Sequence, residues 1–280
     1  MDFEKEIKVE KNLRSIKFLI PIITLLTGSV LILVLYLFMN KFDEGNYWLL
    51  LPSGIVLHAV MIAVVHEGAH NAITRNTNMD SVIINILSGI VMIPVYAEFF
   101  RKYHLIHHAH TNASVDPLWP DEKRWLFEKH KHIFVIVELI PVLTTVVLLF
   151  LGEKKRKKSI QGPKVRWRFM ALSILVSVLV GWFVQPTFMF VVGTVLMAGI
   201  VAKIRNWCEH TGRDLSKLSN TYWFPLGMGI GNHEAHHALP RVSWITNQYC
   251  LFFKKRDTNP FATTYGMIFD KKHKHYPPEN

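Results

Sequence analysis

The chain contains very little cysteine and fewer acidic than basic residues. Only Cys208 and Cys250 occur among 280 residues, and they form no Cys-x-x-Cys pair. A disulfide framework or a thiolate metal site is therefore not expected. Asp and Glu number 21 against 32 Lys and Arg, which gives a formal net charge of +11. Such an excess occurs in nucleic-acid binders and in the cytoplasmic loops of membrane proteins.

Long apolar runs decide between these two classes. Half of the residues are hydrophobic, and the mean hydropathy is +0.20. Four runs are predicted to span a membrane, at residues 16–39, 47–65, 169–184 and 187–202. The basic residues gather between and after the apolar runs, as at 154–158, so no nucleic acid is expected as a partner. The first run is too long for the core of a signal peptide and is expected to be a retained membrane helix.

Two further apolar segments, at residues 81–100 and 132–151, are predicted to be interfacial or re-entrant. The first carries Asn85, Gly89 and Pro94, and the second carries Glu138 and Pro141. If either segment crossed, the histidine groups around it would lie on opposite sides of the membrane. Basic residues before the first run predict a cytoplasmic N-terminus. Because four runs cross and the other two segments do not, the C-terminus and the grouped histidines are predicted to be cytoplasmic too.

These patterns predict an all-α integral membrane protein. We expect a single membrane-embedded domain over residues 1–280, because no internal repeat or low-complexity linker divides the sequence. It should have about four transmembrane helices, two interfacial or re-entrant segments and a cytoplasmic histidine-rich cap.

Nine of the fifteen histidines fall into a few groups with helical spacing. The members are His66 and His70, then His104, His107 and His108, then His233, His236 and His237, and finally His210. Asn206 precedes His210 by four residues. Side chains at i, i+3 and i+4 share one face of a helix, so each group can direct its imidazoles to one point.

The number of histidines favours two transition-metal ions. Nine imidazoles exceed the four ligands of a tetrahedral zinc site. If the site oxidises inert C–H bonds with oxygen, it needs a redox-active metal, which zinc is not, and this favours iron. The stretch His66-Glu67-Gly68-Ala69-His70 also matches H-E-x-x-H, the zinc-protease motif in which the Glu is the general base. A membrane-embedded zinc metalloprotease is therefore an alternative, although it leaves the other two groups unexplained.

Several stretches together resemble the motifs of one family. HEGAH, HLIHH followed by AHTN and DP, and NHEAHH followed by ALP resemble the three histidine boxes of the membrane fatty acid desaturase/hydroxylase superfamily. RNWCEH resembles the additional Asn-x-x-x-His element of that superfamily. The resemblance implies two iron ions, O₂ as co-substrate, the nine grouped histidines as ligands, and Asn206 binding iron through a water.

The resemblance also implies the reaction class. We expect an O₂-dependent lipid desaturase acting on a fatty acyl chain or related lipid, with hydroxylation of a lipid, carotenoid or alkane as the alternative. The short HxxxH form of the first box resembles bacterial desaturases and carotenoid hydroxylases rather than acyl-CoA desaturases. No haem-binding HPGG element or ferredoxin-like cysteine set is present, so an external electron donor of the ferredoxin, rubredoxin or cytochrome b5 type is expected. Basic residues at 254–256 and 271–274 suit an acidic carrier.

Four acidic residues neighbour the grouped histidines. They are Glu67, Glu209, Glu234 and Asp116. Metal-bound histidines usually donate their second N–H to a carboxylate or carbonyl, so these acids are candidates for orienting the rings. Surface acids beside a basic face would give the same pattern. His58 lies two turns before His66 and is expected to be a buried hydrogen-bonding residue, with support of the site as the alternative.

Overall fold

The protein is a bundle of helices. The computed structural model describes residues 18–113, 115–119, 123–140, 163–211, 219–224, 231–251, 256 and 258–270. Within these residues there is no β-strand, only an isolated bridge between Thr221 and Asn232. The helices are α1 (Leu19–Asp43), α2 (Tyr47–Ala69), α3 (Thr77–Ile90), α4 (Tyr96–Ala109), α5 (Arg124–Lys129), α6 (Lys131–Leu139), α7 (Trp167–Val184), α8 (Phe188–His210), α9 (His233–Ala238), α10 (Trp244–Leu251) and α11 (Pro260–Phe269).

Four of these helices, α1, α2, α7 and α8, are long and apolar enough to cross a membrane. The four predicted spans fall on them, although the first two residues of 16–39 lie outside the described residues. The observed helices continue past the predicted ends, to Asp43, Ala69 and His210. Backbone hydrogen bonding continues where hydropathy has already fallen, and in α2 and α8 the added turns carry histidines. The all-α membrane fold is confirmed.

α2 is the central helix of the bundle. About 67% of its most apolar window is buried, against 22% or less for each of the other three. A β-carbon added to Gly54 would lie 2.2 Å from the Met197 side chain, and one on Gly193 would lie 2.8 Å from Leu50. The two contacts show that α2 and α8 pack almost backbone to backbone and run in the same direction. Small residues at a helix interface allow this close approach in membranes.

The stretch at 81–100, predicted not to cross as one helix, is divided between two short helices. The chain turns between α3 and α4, where Met92 and Val95 have positive φ of 61° and 65°. Arg101 Nη1 donates to Ser81 Oγ at 2.8 Å and Asn85 Nδ2 to Glu98 Oε1 at 3.1 Å, so α3 and α4 are antiparallel. The 14 residues of α3 extend roughly 21 Å, less than a hydrocarbon core of about 30 Å. The depth of this hairpin in a membrane stays a prediction.

The hairpin is held to α7 by an ion pair. Arg166, just before α7, donates to Glu98 through Nη2 at 3.0 Å and through Nε at 3.2 Å. Arg166 Nη1 also donates to Thr77 O at the start of α3, at 3.3 Å, and Ser177 Oγ donates to Gly89 O near its end, at 3.0 Å. α7 therefore lies alongside α3 over most of its length.

A second buried ion cluster attaches α6 to α8. Glu138 accepts from Lys123 Nζ at 2.7 Å and from Lys203 Nζ at 2.5 Å, and its side chain is 1% exposed. The predicted segment 132–151 overlaps α6, but residues 141–151 lie outside the described residues, as does the basic run 154–158. Its interfacial or re-entrant course therefore stays a prediction.

Replacing Gly54 by Ala should destabilise the bundle. The new methyl group would overlap Met197 at the α2–α8 contact, and overpacking of this kind costs about 1–3 kcal/mol. Thermal unfolding in detergent measures the effect. Gly181→Ala is the matched control, because a β-carbon there meets only Met92 Cε at 3.7 Å. Equal melting temperatures for the two variants would show that α2 and α8 are not in close contact.

Replacing Glu138 by Gln should destabilise the protein by about 3–5 kcal/mol, because two lysine charges lose their buried partner. Burial opposes ionisation of Glu138, but Lys203 and Lys123 outweigh it and lower its pKa from 4.5 to about 2. Its stabilising effect is therefore present above pH 4.5 and disappears as the pH falls through about 2. Acid unfolding should be steeper in wild type than in Glu138→Gln over this window. Glu128→Gln, at an exposed position, serves as the control, and parallel acid profiles for wild type and Glu138→Gln would contradict the ion cluster.

Candidate metal centre

Four helices bring the nine grouped histidines together at one end of the bundle. α2 contributes His66 in its last turn, and His70 follows directly as its C-cap. α4 contributes the second group, α8 ends on His210, and the short helix α9 contributes the third group. Eight of the nine are buried, and His108 is half-buried. The predicted convergence of separate chain stretches is present in the structure.

The end of α2 is not a regular α-helix. Residues Met61–His66 form a π-helical turn, in which the hydrogen bonds reach one residue further than in an α-helix. π-turns within α-helices are frequent at functional sites. No signal in the apolar sequence MIAVV indicated this turn.

The histidines form two groups rather than three. His66, His70, His104, His108 and His236 make the first metal group, and His107, His210, His233 and His237 make the second metal group. Within each group, all the ligand atoms lie within 4.8 Å of one another. The second and third boxes each contribute to both groups. In each box the histidines at i and i+4 point to one group, and the histidine at i+3 points to the other.

The ring nitrogens that face each group are closely spaced. His70 Nε2 and His104 Nε2 are 2.9 Å apart, and His108 Nε2 lies 3.1 Å from His236 Nε2. In the second metal group, His237 Nε2 is 3.1 Å from His233 Nε2. Nitrogens about 3 Å apart suit ligation of one ion at about 2.0–2.1 Å from each. The donor set fits a transition metal in each group.

The environment keeps these imidazoles neutral. Burial, followed by the neighbouring imidazoles, lowers the pKa of His104, His233, His236 and His237 well below the usual value. Burial also lowers the pKa of His70 to about 3. Neutral imidazole is the form that binds a metal ion, so the rings do not need to lose a proton before ligation at physiological pH.

Asp116 contacts a histidine directly. Its Oδ2 and Oδ1 accept from His107 Nδ1 at 2.8 and 2.9 Å. The carboxylate is itself fixed by the backbone N–H groups of Asn112 and Leu118, at 2.8 and 2.9 Å. With its proton on Nδ1, His107 presents Nε2 to the second metal group as an acceptor.

Two of the other predicted acids also lie beside histidines. Glu67 Oε1 is 3.5 Å from His66 Nδ1, and its Oε2 accepts from the backbone N–H of Trp244 at 2.9 Å. Glu209 Oε2 lies 3.4 Å from His233 Nε2. Glu234 is only half-buried, and its role in orienting a ring stays a prediction.

Other contacts at the site were not expected from the sequence. Thr111 Oγ1 lies 3.1 Å from His237 Nδ1 and donates to His107 O, so it joins the second and third boxes. Tyr222 donates to Glu209 Oε1 at 2.8 Å, and Phe100 stacks on His104 with ring centroids 4.8 Å apart. Thr111 lies in the quoted AHTN stretch, whereas Tyr222 has no local signal because its partner is on another element.

Asn206 lies on the same helix as His210, close to the second metal group. It is buried, and its Oδ1 has no hydrogen-bond partner among the described residues. A buried amide oxygen without a partner is uncommon and costs free energy. Asn206 Oδ1 can therefore accept a hydrogen bond from a group that is not part of the protein chain, such as a water.

A sequence model for the fatty acid desaturase family matches residues 46–246. The match covers more than two thirds of the chain, from the residue before α2 into α10, and includes every histidine of both metal groups. No curated protein and no solved structure matches the chain significantly.

Replacing Asp116 by Ala should weaken metal binding. Loss of a carboxylate that orients a ligating histidine typically lowers metal affinity about 10–100-fold. The affinity for Fe²⁺ can be measured by competition with a chelator. Asp80→Asn is the control, because Asp80 is also buried but accepts from Thr74 N at 2.9 Å rather than from a histidine. Equal affinity in Asp116→Ala and wild type would remove Asp116 from the site.

Proposed function

Because the chain belongs to the fatty acid desaturase family, we propose that it is an O₂-dependent diiron desaturase of membrane lipids. Family membership makes it an oxidoreductase. The proposed reaction introduces a double bond into a fatty acyl chain or related lipid. The observation that carries the proposal is the pair of buried imidazole groups where membrane-length helices end.

The nine histidines are the proposed ligands of two iron ions, with Asn206 acting through a water. The residues fit these ions, because five and four imidazoles converge in the two groups. His107 Nε2 and His66 Nε2 are buried without a hydrogen bond among the described residues, as expected for the ligating nitrogen of a metal-binding imidazole. Bound iron would supply O₂-dependent oxidation of an unactivated C–H bond.

The chain itself orients the ligands and excludes water. Asp116 and Thr111 fix the Nδ1 sides of His107 and His237. The choice between removing a second hydrogen and adding a hydroxyl depends on small differences in how the substrate carbon is held. Hydroxylation of a lipid, carotenoid or alkane is therefore the alternative reaction.

We also propose that both termini and the metal site face the cytoplasm. The tip of the α3–α4 hairpin supports a re-entrant course, because Tyr36 OH of α1 donates to Ile90 O at 2.8 Å. Tyr36 lies well inside the membrane-length part of α1, so the hairpin reaches the same depth and returns. This course keeps the first two histidine boxes on one side.

A separate electron carrier of the ferredoxin, rubredoxin or cytochrome b5 type is the proposed reductant. Most of the basic residues expected to contact it, at 254–255 and 271–274, lie outside the described residues. Arg256 is described, and its guanidinium lies 5.9 Å from the Trp223 ring centroid. The carrier's binding surface stays a prediction.

The zinc protease alternative is disfavoured by the surroundings of HEGAH. His66 and His70 share their group with three histidines from the other two boxes. Glu67, the general base of such a protease, instead accepts from the Trp244 backbone. A single zinc ion would leave the second metal group unexplained.

Lipid profiling tests the function. Cells that express the wild type should gain a double bond in one lipid class, and His107→Ala should abolish it because the second metal group loses a ligand. Purified wild type should hold about two irons per chain, fewer in the variant. His130→Ala is the control, because His130 is exposed near Trp125 and outside both groups. A new hydroxyl would establish the alternative reaction, and one zinc without a lipid product would overturn both.

A further inference from the structure

α8 carries a buried guanidinium close to the metal centre. Arg205 precedes His210 by five residues, and its side chain is 11% exposed. Its Nε lies 3.2 Å from Glu209 Oε1, so the positive charge is balanced. Its Nη1 is buried and has no hydrogen-bond partner in the described part of the chain. Ionisable residues within membrane segments are rare and usually functional.

α2 carries a second polar group with an open position. His58 is 4% exposed, and its Nε2 has no hydrogen-bond partner among the residues that the structure describes. The sequence led us to expect a hydrogen-bonded core histidine here. The Phe224 ring lies edge-on to His58, with centroids 6.3 Å apart, and offers Nε2 no hydrogen bond.

The two groups belong to one region beside the metal centre. Because α2 and α8 run side by side in the same direction, Arg205 lies about one helical turn nearer to the metal groups than His58. His58 follows Gly54 by about one helical turn and Arg205 follows Met197 by about two turns, so both residues lie along the α2–α8 contact. Arg205 is paired with Glu209, whose Oε2 lies 3.4 Å from His233 Nε2, so a molecule that contacted both side chains would lie beside the second metal group.

We infer that Arg205 and His58 bind a neutral oxygen atom of the lipid substrate, a hydroxyl or carbonyl close to the carbon that is oxidised. Arg205 Nη1 can only donate, and His58 Nε2 donates or accepts according to its tautomer, so together they can satisfy either kind of oxygen. A carboxylate is not required, because Glu209 already balances Arg205. The inference rests on the proposed function and narrows its substrate class, excluding plain alkanes.

Binding competition tests this inference. The immobilised full chain is titrated with hexadecanol, methyl palmitate, palmitate and hexadecane against radiolabelled hexadecanol. We expect hexadecanol and methyl palmitate to bind with a Kd at least about tenfold lower than hexadecane. His58→Phe and Arg205→Gln should lose this preference while hexadecane binds as before. If Arg205→Gln does not fold without its ion pair, the binding preference of His58→Phe is sufficient to test the inference.

Arg168→Gln is the matched control. Arg168 lies on α7, and its Nη2 donates to Asn78 Oδ1 at 3.1 Å, away from the metal groups. The preference should persist in this variant. Equal binding of hexadecanol and hexadecane by wild type, or an unchanged preference in His58→Phe, would overturn the inference and leave water as the partner of both groups. Tighter binding of palmitate than of methyl palmitate would overturn the neutral class.

The competition is measured with chelator-treated protein, so its result does not depend on bound iron or on a lipid product. The proposed function fails if iron and a lipid product are absent from the purified protein and from the cells. Failure of the inference and failure of the proposed function are therefore separate results.

Discussion

The structure depends on one constraint: nine imidazoles from separate stretches of the chain must meet at one end of the bundle. Apolar helices connect these stretches, so every connection that leaves that end must return to it. α1 and α2, and likewise α7 and α8, form outward and returning pairs, while α3 and α4 reverse within a turn. The positive φ values at Met92 and Val95 are part of that reversal. The geometry of the bundle follows from the need to bring the rings together.

The surroundings of the rings hold them in fixed orientations. Buried polar groups are costly unless they are hydrogen-bonded, and here the partners are carboxylates and hydroxyls that are themselves held by the backbone. Asp116 accepts from two amide groups as well as from His107. Glu67 is tied to Trp244, at the start of α10. The shell around the rings therefore links α2 and α4 to parts of the chain far away in sequence.

Much of this arrangement could be predicted from local pattern. Apolar length located α1, α2, α7 and α8, and helical spacing selected the grouped histidines. The helix ends at Ala69 and His210 could not be read from hydropathy, because these last turns are polar. The division of the second box, with His107 in one group and its neighbours in the other, required three-dimensional orientation. Tyr222 and Thr111 were missed as supporting residues because their partners are brought near only by folding.

The π-helical turn at Met61–His66 links packing to ligation. Each residue of a π-turn advances the helix through a smaller angle than in an α-helix, so the turn changes the rotational phase of everything after it. Gly54, before the turn, faces α8 at contact distance, and His66, at its end, faces the first metal group. The number of residues between Gly54 and His66 is therefore constrained both by the contact with α8 and by the position of His66 in the first metal group. An insertion or deletion in this stretch would rotate either Gly54 away from α8 or His66 away from the first metal group.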